Sequence, residues 1–341
     1  MGPAVGRALL LAALLGGAAA FRIGAFNARR LGGGKAARDD VRGALGRIIT
    51  RCDIMVLQEV TDTKGQVVPL LLNTLDSTAG PGAYQALSSP PLGRGSYQER
   101  YVYFYRPGRA QLWDWFVYED THPQRPDVFA REPFVARFSL PSPGERCPDA
   151  RAPRCRALGP PTPGCRGPLT PSPRPPALPE LVLVPLHAAP GAAEAEIDAL
   201  HDVYERVRER WGQQDVLFLG DFNAGCGYVA ASRWGRIRLR HDPPFRWLLG
   251  DDSDSTVRGS THCPYDRVVV AGERSQSLVV PGSARTFNFT AHFGLTEEQA
   301  LAVSDHYPVE VELALDGAWG GPQHPPLALL LGLGGALLRL P

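Results

Sequence analysis

Two short motifs in the second half of the chain carry residue types that bind a divalent cation or move a proton. They are Gly220-Asp221-Phe222-Asn223 and Ser304-Asp305-His306. Carboxylate and amide oxygens suit Mg2+ or Ca2+, and a histidine beside a carboxylate exchanges a proton near neutral pH. Hydrolysis of a phosphodiester needs both functions, because charge on the phosphate must be stabilised while protons move. Neither motif is specific alone, since an Asp or His at a strand end is more often a turn residue.

The same residue types recur where predicted strands begin or end. Such positions are Asn27, Glu59, His187, Asp221, Asn223, Asp266 and His306. Apolar runs and helical periodicities predict strands that alternate with helices, for example a strand over 53–59 and a helix over 194–211. Polar side chains gathered at strand ends are what an active-site crevice needs. The sequence therefore predicts a strand-rich α/β domain of packed sheets with a catalytic centre.

The composition and the two ends of the chain predict a route through the secretory pathway. Residues 1–20 combine Arg7, an apolar run and a small-residue cleavage site, the order of a signal peptide. Residues 317–341 place small and polar residues before an apolar tail, which is the order of a GPI-attachment signal. A plain apolar tail is the alternative. The formal charge of +1 means that any contact with nucleic acid depends on local basic patches.

A proline-rich segment over 141–180 interrupts the catalytic domain predicted over 21–316. It contains 13 prolines and three cysteines, Cys147, Cys155 and Cys165. Such a composition cannot form a core, so we expect an exposed surface insertion between two strands. The three cysteines cannot all pair among themselves, which leaves one available to another molecule.

Six motifs in this order resemble the deoxyribonuclease I family. They are Gln58-Glu59, Ser96-Tyr97-Gln98-Glu99, Pro185-Leu186-His187, Gly220-Asp221-Phe222-Asn223, Tyr265-Asp266-Arg267 and Ser304-Asp305-His306-Tyr307-Pro308. The apolar tail is similar to the like-1 subtype and the insertion to the like-2 subtype, so the subtype stays open. The resemblance implies a four-layer α-β-β-α sandwich of the endonuclease/exonuclease/phosphatase type. It also implies a secreted or cell-surface monomer that uses Mg2+ and Ca2+, with Mn2+ as a substitute. Its expected substrate is double-stranded DNA, cut with little sequence specificity to leave 5′-phosphate ends.

The resemblance further implies roles for single residues. Glu99 with His187 and Asp266 with His306 would supply the general acid and base. The metal and the scissile phosphate would be held by Asn27, Glu59, Asp221, Asn223 and Asp305. DNA contacts would come from Arg29, Arg94, Tyr97, Arg131, Tyr228 and Tyr265. Thr61 stands where the family usually has an arginine that enters the minor groove, which lowers the expected DNA affinity.

The remaining expectations from the resemblance concern structural features. One calcium site would use Asp120, Asp127, Phe129 and Glu132, and another would use Asp254 and Thr256. A disulfide would join Cys226 to Cys263. No actin binding is expected, because Ala86 and Ser88 stand at the contact positions. Read directly from the sequence, Asn288-Phe289-Thr290 is an N-glycosylation sequon.

Two other functions fit part of the sequence. A different hydrolase of the same superfamily, such as a sphingomyelinase, would need the same metal ligands and histidines. The tracts Arg94-Gly95-Ser96-Tyr97 and Arg131-Glu132-Pro133 favour the deoxyribonuclease branch by their resemblance to it. An inactive surface-binding module is the second alternative, and the complete set of catalytic residue types argues against it.

Overall fold

The computed structural model describes residues 20–140 and 178–315. The predicted signal peptide before Ala20, nearly all of the proline-rich insertion and the predicted GPI signal lie outside the described residues. Within the described ranges, no helix has both the length and the apolar character that a bilayer span requires.

Two six-stranded sheets form the centre of the described fold. The strands are β1 (Phe21–Leu31), β2 (Ile54–Val60), β3 (Gln85–Ser88), β4 (Arg100–Tyr105), β5 (Gln111–Val117), β6 (Phe134–Ser139), β7 (Glu180–Pro185), β8 (Val216–Asp221), β9 (Arg246–Trp247), β10 (Asp266–Ala271), β11 (Arg285–Thr286) and β12 (Val309–Leu313). The first sheet has the order β11-β12-β1-β2-β4-β3, and the second has the order β5-β6-β7-β8-β10-β9.

Helices cover the outer face of each sheet. They are α1 (Gly33–Ala36), α2 (Asp39–Ile49), α3 (Val67–Ala79), α4 (Ala193–Trp211), α5 (Arg238–His241), α6 (Glu273–Leu278), α7 (Phe289–Phe293) and α8 (Glu297–Val303), with 3-10 turns at Pro190–Ala192 and Ala231–Arg236. One apolar layer joins the first sheet to α2, α3, α7 and α8, and another joins the second sheet to α4. The predicted four-layer α-β-β-α sandwich is confirmed.

Strand β8 shows how the sequence produces these layers. Side chains alternate between the two faces of a strand. Leu217 and Leu219 point into the core between the sheets, whereas Val216 and Phe218 pack in the layer that contains α4. A strand buried on both faces must be apolar throughout, which is why its sequence shows a continuous apolar run instead of an alternating pattern.

Candidate active site

Polar side chains from both sheets meet at one end of the sandwich. Strands β1 and β2 are parallel, and so are β7 and β8, so the carboxyl ends of each pair lie at the same edge. The side chains of Asn27 and Asp221 are almost fully buried there. The Asn27 amide nitrogen Nδ2 donates hydrogen bonds of 3.0 Å to Glu59 Oε1 and to Asp221 Oδ2. Two carboxylates from different sheets therefore converge on one amide.

His187 is held by a buried carboxylate on its inner side. Its Nδ1 hydrogen-bonds Glu99 Oε1. Arg131 fixes both partners, since its Nε lies 2.9 Å from Glu99 Oε1 and its Nη2 donates to the His187 carbonyl at 2.7 Å. The His187 Nε2 atom faces Glu59 Oε1 at 3.6 Å and Asp221 Oδ2 at 3.7 Å. Burial alone would lower the pKa of His187, but the hydrogen bond and charge of Glu99 raise it.

His306 is held in the same way from the opposite flank. Its Nδ1 lies 2.7 Å from Asp266 Oδ2, and its Nε2 lies 3.6 Å from Asp221 Oδ2. Burial opposes protonation of His306, yet the charges of Asp266 and Asp221 prevail and raise its pKa to about 10. A cation bound to Asp221 would weaken that effect, because it would offset one of the two negative charges.

The two histidines flank one carboxylate. Both Nε2 atoms lie 3.6 to 3.7 Å from Asp221 Oδ2, one on each side. The charges of the two imidazoles lower the pKa of Asp221, although its burial acts in the opposite direction. The arrangement places two proton-transfer groups around one anionic centre, as hydrolysis by an activated water requires.

A close contact between the sheets sets the position of Asp221. Gly220 has a φ of 128°, and a Cβ there would lie 2.4 Å from Gln58 Nε2 and 2.6 Å from the Leu186 carbonyl oxygen. Only glycine fits this backbone and this gap. Gln58 then donates to the Leu186 carbonyl at 2.5 Å and accepts from the Asp221 amide at 2.9 Å. The first residue of the Gly220-Asp221-Phe222-Asn223 motif therefore lets the second reach the site.

The donor set at the centre fits a hard divalent cation. Glu59 Oε1 and Asp221 Oδ2 both accept from Asn27 Nδ2 at 3.0 Å and lie 3.6 and 3.7 Å from His187 Nε2, so the two carboxylate oxygens are close together. Such oxygens are the preferred ligands of Mg2+ and Ca2+. Ligand atoms of Asp221, Asp266 and His306 also lie within 4.8 Å of one another. Because the ring of His306 already pairs with Asp266, the Glu59–Asp221 face is the better cation position.

The other two predicted metal ligands lie at different depths. Asn223 is buried beside the centre, where its backbone amide donates to Asp221 Oδ1 at 3.0 Å. Its side-chain nitrogen is turned to the Ala188 carbonyl at 2.8 Å. Asp305 lies nearer the surface, with its carboxylate 3.5 Å from Arg29 Nε. The structure therefore groups Asn27, Glu59, Asp221 and Asn223 closely and leaves Asp305 at the rim.

The tyrosines predicted to contact DNA line the mouth of the site. Tyr97 and Tyr228 are exposed, at 43% and 41%. The Tyr97 hydroxyl lies 3.3 Å from Glu99 Oε2. The rings of Tyr228 and Tyr265 are 5.3 Å apart, and the ring of Tyr265 is 6.1 Å from that of His306. Tyr97 thus lies beside the His187–Glu99 pair, and Tyr265 and Tyr228 lie beside the His306–Asp266 pair.

The arginines predicted to contact DNA are arranged differently from one another. Arg29 lies at the rim, bonded to the Leu301 carbonyl and near Asp305. Arg131 points inward and supports Glu99 and His187, so its contacts in this structure are within the protein. Arg94 is half exposed and contacts the carbonyl oxygens of Asp127 and Phe129.

The Arg94 contacts fall on one of the two predicted calcium sites. Its Nη2 lies 3.1 Å from Asp127 Oδ1, and Asp120 Oδ2 accepts from the Phe129 amide at 2.7 Å. Glu132 follows three residues later, before β6. The guanidinium thus contacts oxygens of two of the four predicted ligands, Asp127 and Phe129. At the second predicted site, Asp254 Oδ1 accepts from the amide and the hydroxyl of Thr256, at 2.9 and 2.6 Å.

Two covalent features predicted from the sequence differ in their outcome. Cys226 and Cys263 form a disulfide with a Cα–Cα distance of 5.8 Å, so that prediction is confirmed. Asn288 is exposed at the start of α7, and its Oδ1 accepts from the Ala291 amide at 2.8 Å. Its side-chain nitrogen points away from that bond, and glycosylation stays a prediction.

The sequence interpretation gave no role to Glu196, a buried residue behind the site. Its Oε1 accepts from the Ala189 amide at 3.0 Å, two residues after His187. Its Oε2 is buried and makes no hydrogen bond of normal geometry among the described residues, although the Ala130 amide is near enough to the carboxyl group to lower its pKa. The signal was present, since Glu196 occupies the apolar stripe of α4 between Ala193 and Leu200. A charged residue at such a position is unusual unless it is paired.

Glu196 is expected to make stability depend on pH. Burial raises its pKa to about 7, while the Ala189 amide and Arg131 oppose the shift; His187 and Tyr101 also face the carboxyl group. An unfolded Glu titrates near 4.5, so the folded state binds the proton more tightly and loses stability as pH rises from about 4.5 to 7. The free energy of unfolding should therefore fall by about 3 kcal/mol over this pH window in the wild type. Glu196→Gln should remove that fall.

Urea unfolding at pH 5 and pH 8 measures this effect. The half-exposed Glu205, on the same helix and paired with Arg208 at 3.0 Å, provides the matched control in Glu205→Gln. The control should keep the wild-type difference between the two pH values. An unchanged difference in Glu196→Gln would contradict the assignment of that decline to Glu196.

A family model and curated relatives identify the group to which the chain belongs. The model of the endonuclease/exonuclease/phosphatase family matches residues 24–306. Human deoxyribonuclease-1-like 1 is 49% identical over 91% of this chain and 90% of its own length. Pig deoxyribonuclease-1 is 44% identical over 91% of this chain and 97% of its own length. The chain belongs to the deoxyribonuclease I family.

Solved structures share the fold of the described chain. An endonuclease/exonuclease/phosphatase from Bacteroides vulgatus has a TM-score of 0.53 and 14% identity, and the match covers 87% of this chain and 99% of that one. Humanized D. rerio TDP2 has a TM-score of 0.52 and 13% identity, over 86% and 98% of the two chains. At these identities the likeness supports the shared sandwich alone.

Proposed function

We propose that this member of the deoxyribonuclease I family is an endonuclease that hydrolyses DNA phosphodiester bonds with a divalent metal. The observation that carries the proposal is the position of two histidine–carboxylate pairs on opposite sides of Asp221, next to the Glu59 carboxylate. Both relatives described above are named deoxyribonucleases, and their similarity extends over nine-tenths of the chain.

The catalytic steps follow from the contacts of the two imidazoles. One accepts a proton from the attacking water, and the other donates a proton to the leaving 3′ oxygen. Glu99 and Asp266 each receive the Nδ1 hydrogen of their histidine, which directs Nε2 toward the centre. Buried carboxylates in these positions also stabilise the imidazolium that forms during transfer.

Glu59 and Asp221 would hold the metal, with Asn27 and Asn223 completing the site. A bound Mg2+ or Ca2+ offsets the charge that develops on the phosphate. Asp305 and Arg29, paired at the rim, face the approaching strand. Tyr97, Tyr228 and Tyr265 would contact the backbone, an arrangement that gives affinity without a choice of base.

The finer attributes of the protein are proposed on sequence features. We propose passage through the secretory pathway, a glycan on Asn288 and a lipid anchor at the C-terminal tail. A loss of mass after N-glycosidase treatment tests the glycan. Release of surface activity by phosphatidylinositol-specific phospholipase C tests the anchor. We also propose that Ca2+ binds at Asp120–Asp127, where it would compete with Arg94, and at Asp254–Thr256.

Plasmid digestion by the secreted full chain tests the function. With Mg2+ and Ca2+ we expect supercoiled plasmid to be nicked and then linearised, and a chelator should abolish the reaction because both carboxylates need the cation. The nicks should be resealed by DNA ligase without a kinase, since they carry 5′-phosphates. Hydrolysis of sphingomyelin vesicles with intact plasmid would contradict the proposal and favour the sphingomyelinase alternative.

A further inference from the structure

A cavity of about 300 Å3 lies beside the active site on the far side of Tyr228. Its walls are the residues that begin α4, the 3-10 turn at Ala231–Arg236 and the side chain of Tyr228. The volume is within the range of sites that hold small ligands or single ligand groups. None of the roles described above uses this space.

The cavity continues the border of the catalytic site. The Tyr228 ring is 5.3 Å from the Tyr265 ring, which is 6.1 Å from the ring of His306. Since a strand of DNA rises about 3.4 Å per nucleotide, these two steps span at most roughly three nucleotides along the helix axis. A strand cut beside His306 and lying across Tyr265 and Tyr228 would thus bring a later phosphate to the cavity.

The side-chain charge around the cavity that is not neutralised by an ion pair is positive. Arg236 is exposed, and among the described residues its guanidinium has no hydrogen bond or ion pair. Asp198, in the wall, is already neutralised by Arg125 at 2.6 Å and Arg238 at 2.9 Å. Arg233 pairs with Glu194 at 3.2 Å. That pair is near the surface, where such ion pairs contribute little and exchange readily.

We propose that this cavity is a second phosphate subsite for the DNA strand, with Arg236 and Arg233 as its ligands and Glu194 as a group that weakens it. The inference rests on the proposed function. Two arginines beside an exposed tyrosine, without a group that reads base edges, fit the sugar-phosphate backbone of any sequence. In a chain whose charges nearly balance, such a local patch supplies attraction that the overall field does not.

Equilibrium binding tests the subsite in the full chain carrying His306→Ala, which should slow cleavage by about 10²- to 10⁴-fold. Fluorescence anisotropy with a labelled 20-base-pair duplex is measured across a salt series in Ca2+ and Mg2+. R236Q should flatten the slope of log K against log salt by about 0.9, and R233Q/R236Q should weaken binding about three- to tenfold at 0.15 M salt. E194Q should have the opposite effect, because it releases Arg233.

R274Q is the matched control. Arg274 is exposed in α6, beyond the far end of β10, about 17 Å of strand from Asp266. R274Q removes the same charge as R236Q and should leave the DNA affinity and the slope of log K against log salt unchanged. If R236Q and R233Q/R236Q bind like R274Q, the subsite is overturned. If the His306→Ala parent, with both arginines present, binds no duplex, the proposed function fails as well as the subsite. The first outcome rejects the subsite alone, so the two failures are distinguishable.

Discussion

Replacing His306 by alanine should reduce plasmid nicking by about 10²- to 10⁴-fold, the usual contribution of a general acid or base. The reason is geometric: His306 connects Asp266, at 2.7 Å, with the centre at Asp221, at 3.6 Å. Alanine removes the proton carrier and leaves the buried Asp266 without its partner. His187→Ala should cause a similar loss, and the double variant should lose little more, because groups that act as a unit are not additive.

The control for this experiment is His292→Ala. His292 is exposed on α7, and its ring packs on Phe287. Among the described residues it makes no contact with either catalytic pair. It should nick plasmid at the wild-type rate. Thermal melting of each variant shows whether the fold is intact. A folded His306→Ala protein that keeps more than about a tenth of the activity would refute its role in proton transfer.

Arg267→Met is expected to destabilise the fold by about 3 to 5 kcal/mol, because each buried acceptor left without a donor costs about 1 to 3 kcal/mol. Arg267 is fully buried, and its guanidinium donates to four carbonyl oxygens and pairs with a half-exposed Asp251 at 3.1 Å. The carbonyls belong to Ala224, Leu249, Gly250 and Pro264. Methionine keeps much of the volume but leaves these acceptors without a donor.

The same variant tests whether the network and the disulfide support each other. The Cys226–Cys263 disulfide joins the segments that contain Ala224 and Pro264. The disulfide and the hydrogen bonds of Arg267 therefore hold the same pair of loops beside Asp266. Urea unfolding with and without reductant should give a larger loss for Arg267→Met when the disulfide is reduced, because neighbouring interactions are coupled. Arg274→Met, at an exposed position, should unfold like the wild type. An equal stability of both variants would contradict the role of Arg267.

The sequence predicts the elements whose apolar patterns are regular. The strand expected over 53–59 is β2, and the helix expected over 194–211 is α4, each within one residue at either end. Helix α3 is not predicted, since its first turns are a run of Val, Pro and Leu without helical periodicity. Strand β5 is also missed, because exposed tryptophans and Asp114 interrupt its pattern.

The site is predicted in residue type but not in geometry. Strand ends identify Glu59 and Asp221, since parallel neighbours bring their carboxyl ends to one edge. The strand end predicted at Asn27 is wrong, because β1 continues to Leu31 after the register with β2 becomes irregular beyond Asn27. The inward orientation of Arg131 depends on the segment that carries His187, which lies 56 residues away. The carbonyls bound by Arg267 likewise come from three separate loops. Such contacts are set by tertiary packing, and no local pattern encodes them.

The catalytic centre is divided between the two sheets, and this division makes activity depend on how the sheets are aligned. Asn27 and Glu59 belong to the first sheet, and Asp221 and Asp266 belong to the second. Apolar side chains fill most of the space between the sheets, and a few polar contacts of Gln58, Tyr101 and Tyr103 fix their relative shift. A slip of one residue, about 3.3 Å, exceeds the 2.9 and 3.0 Å hydrogen bonds that Gln58 and Asn27 make to Asp221. Partial loosening of the interface between the sheets would therefore abolish hydrolysis while each sheet and its helices stay folded. Inactivation can thus precede unfolding.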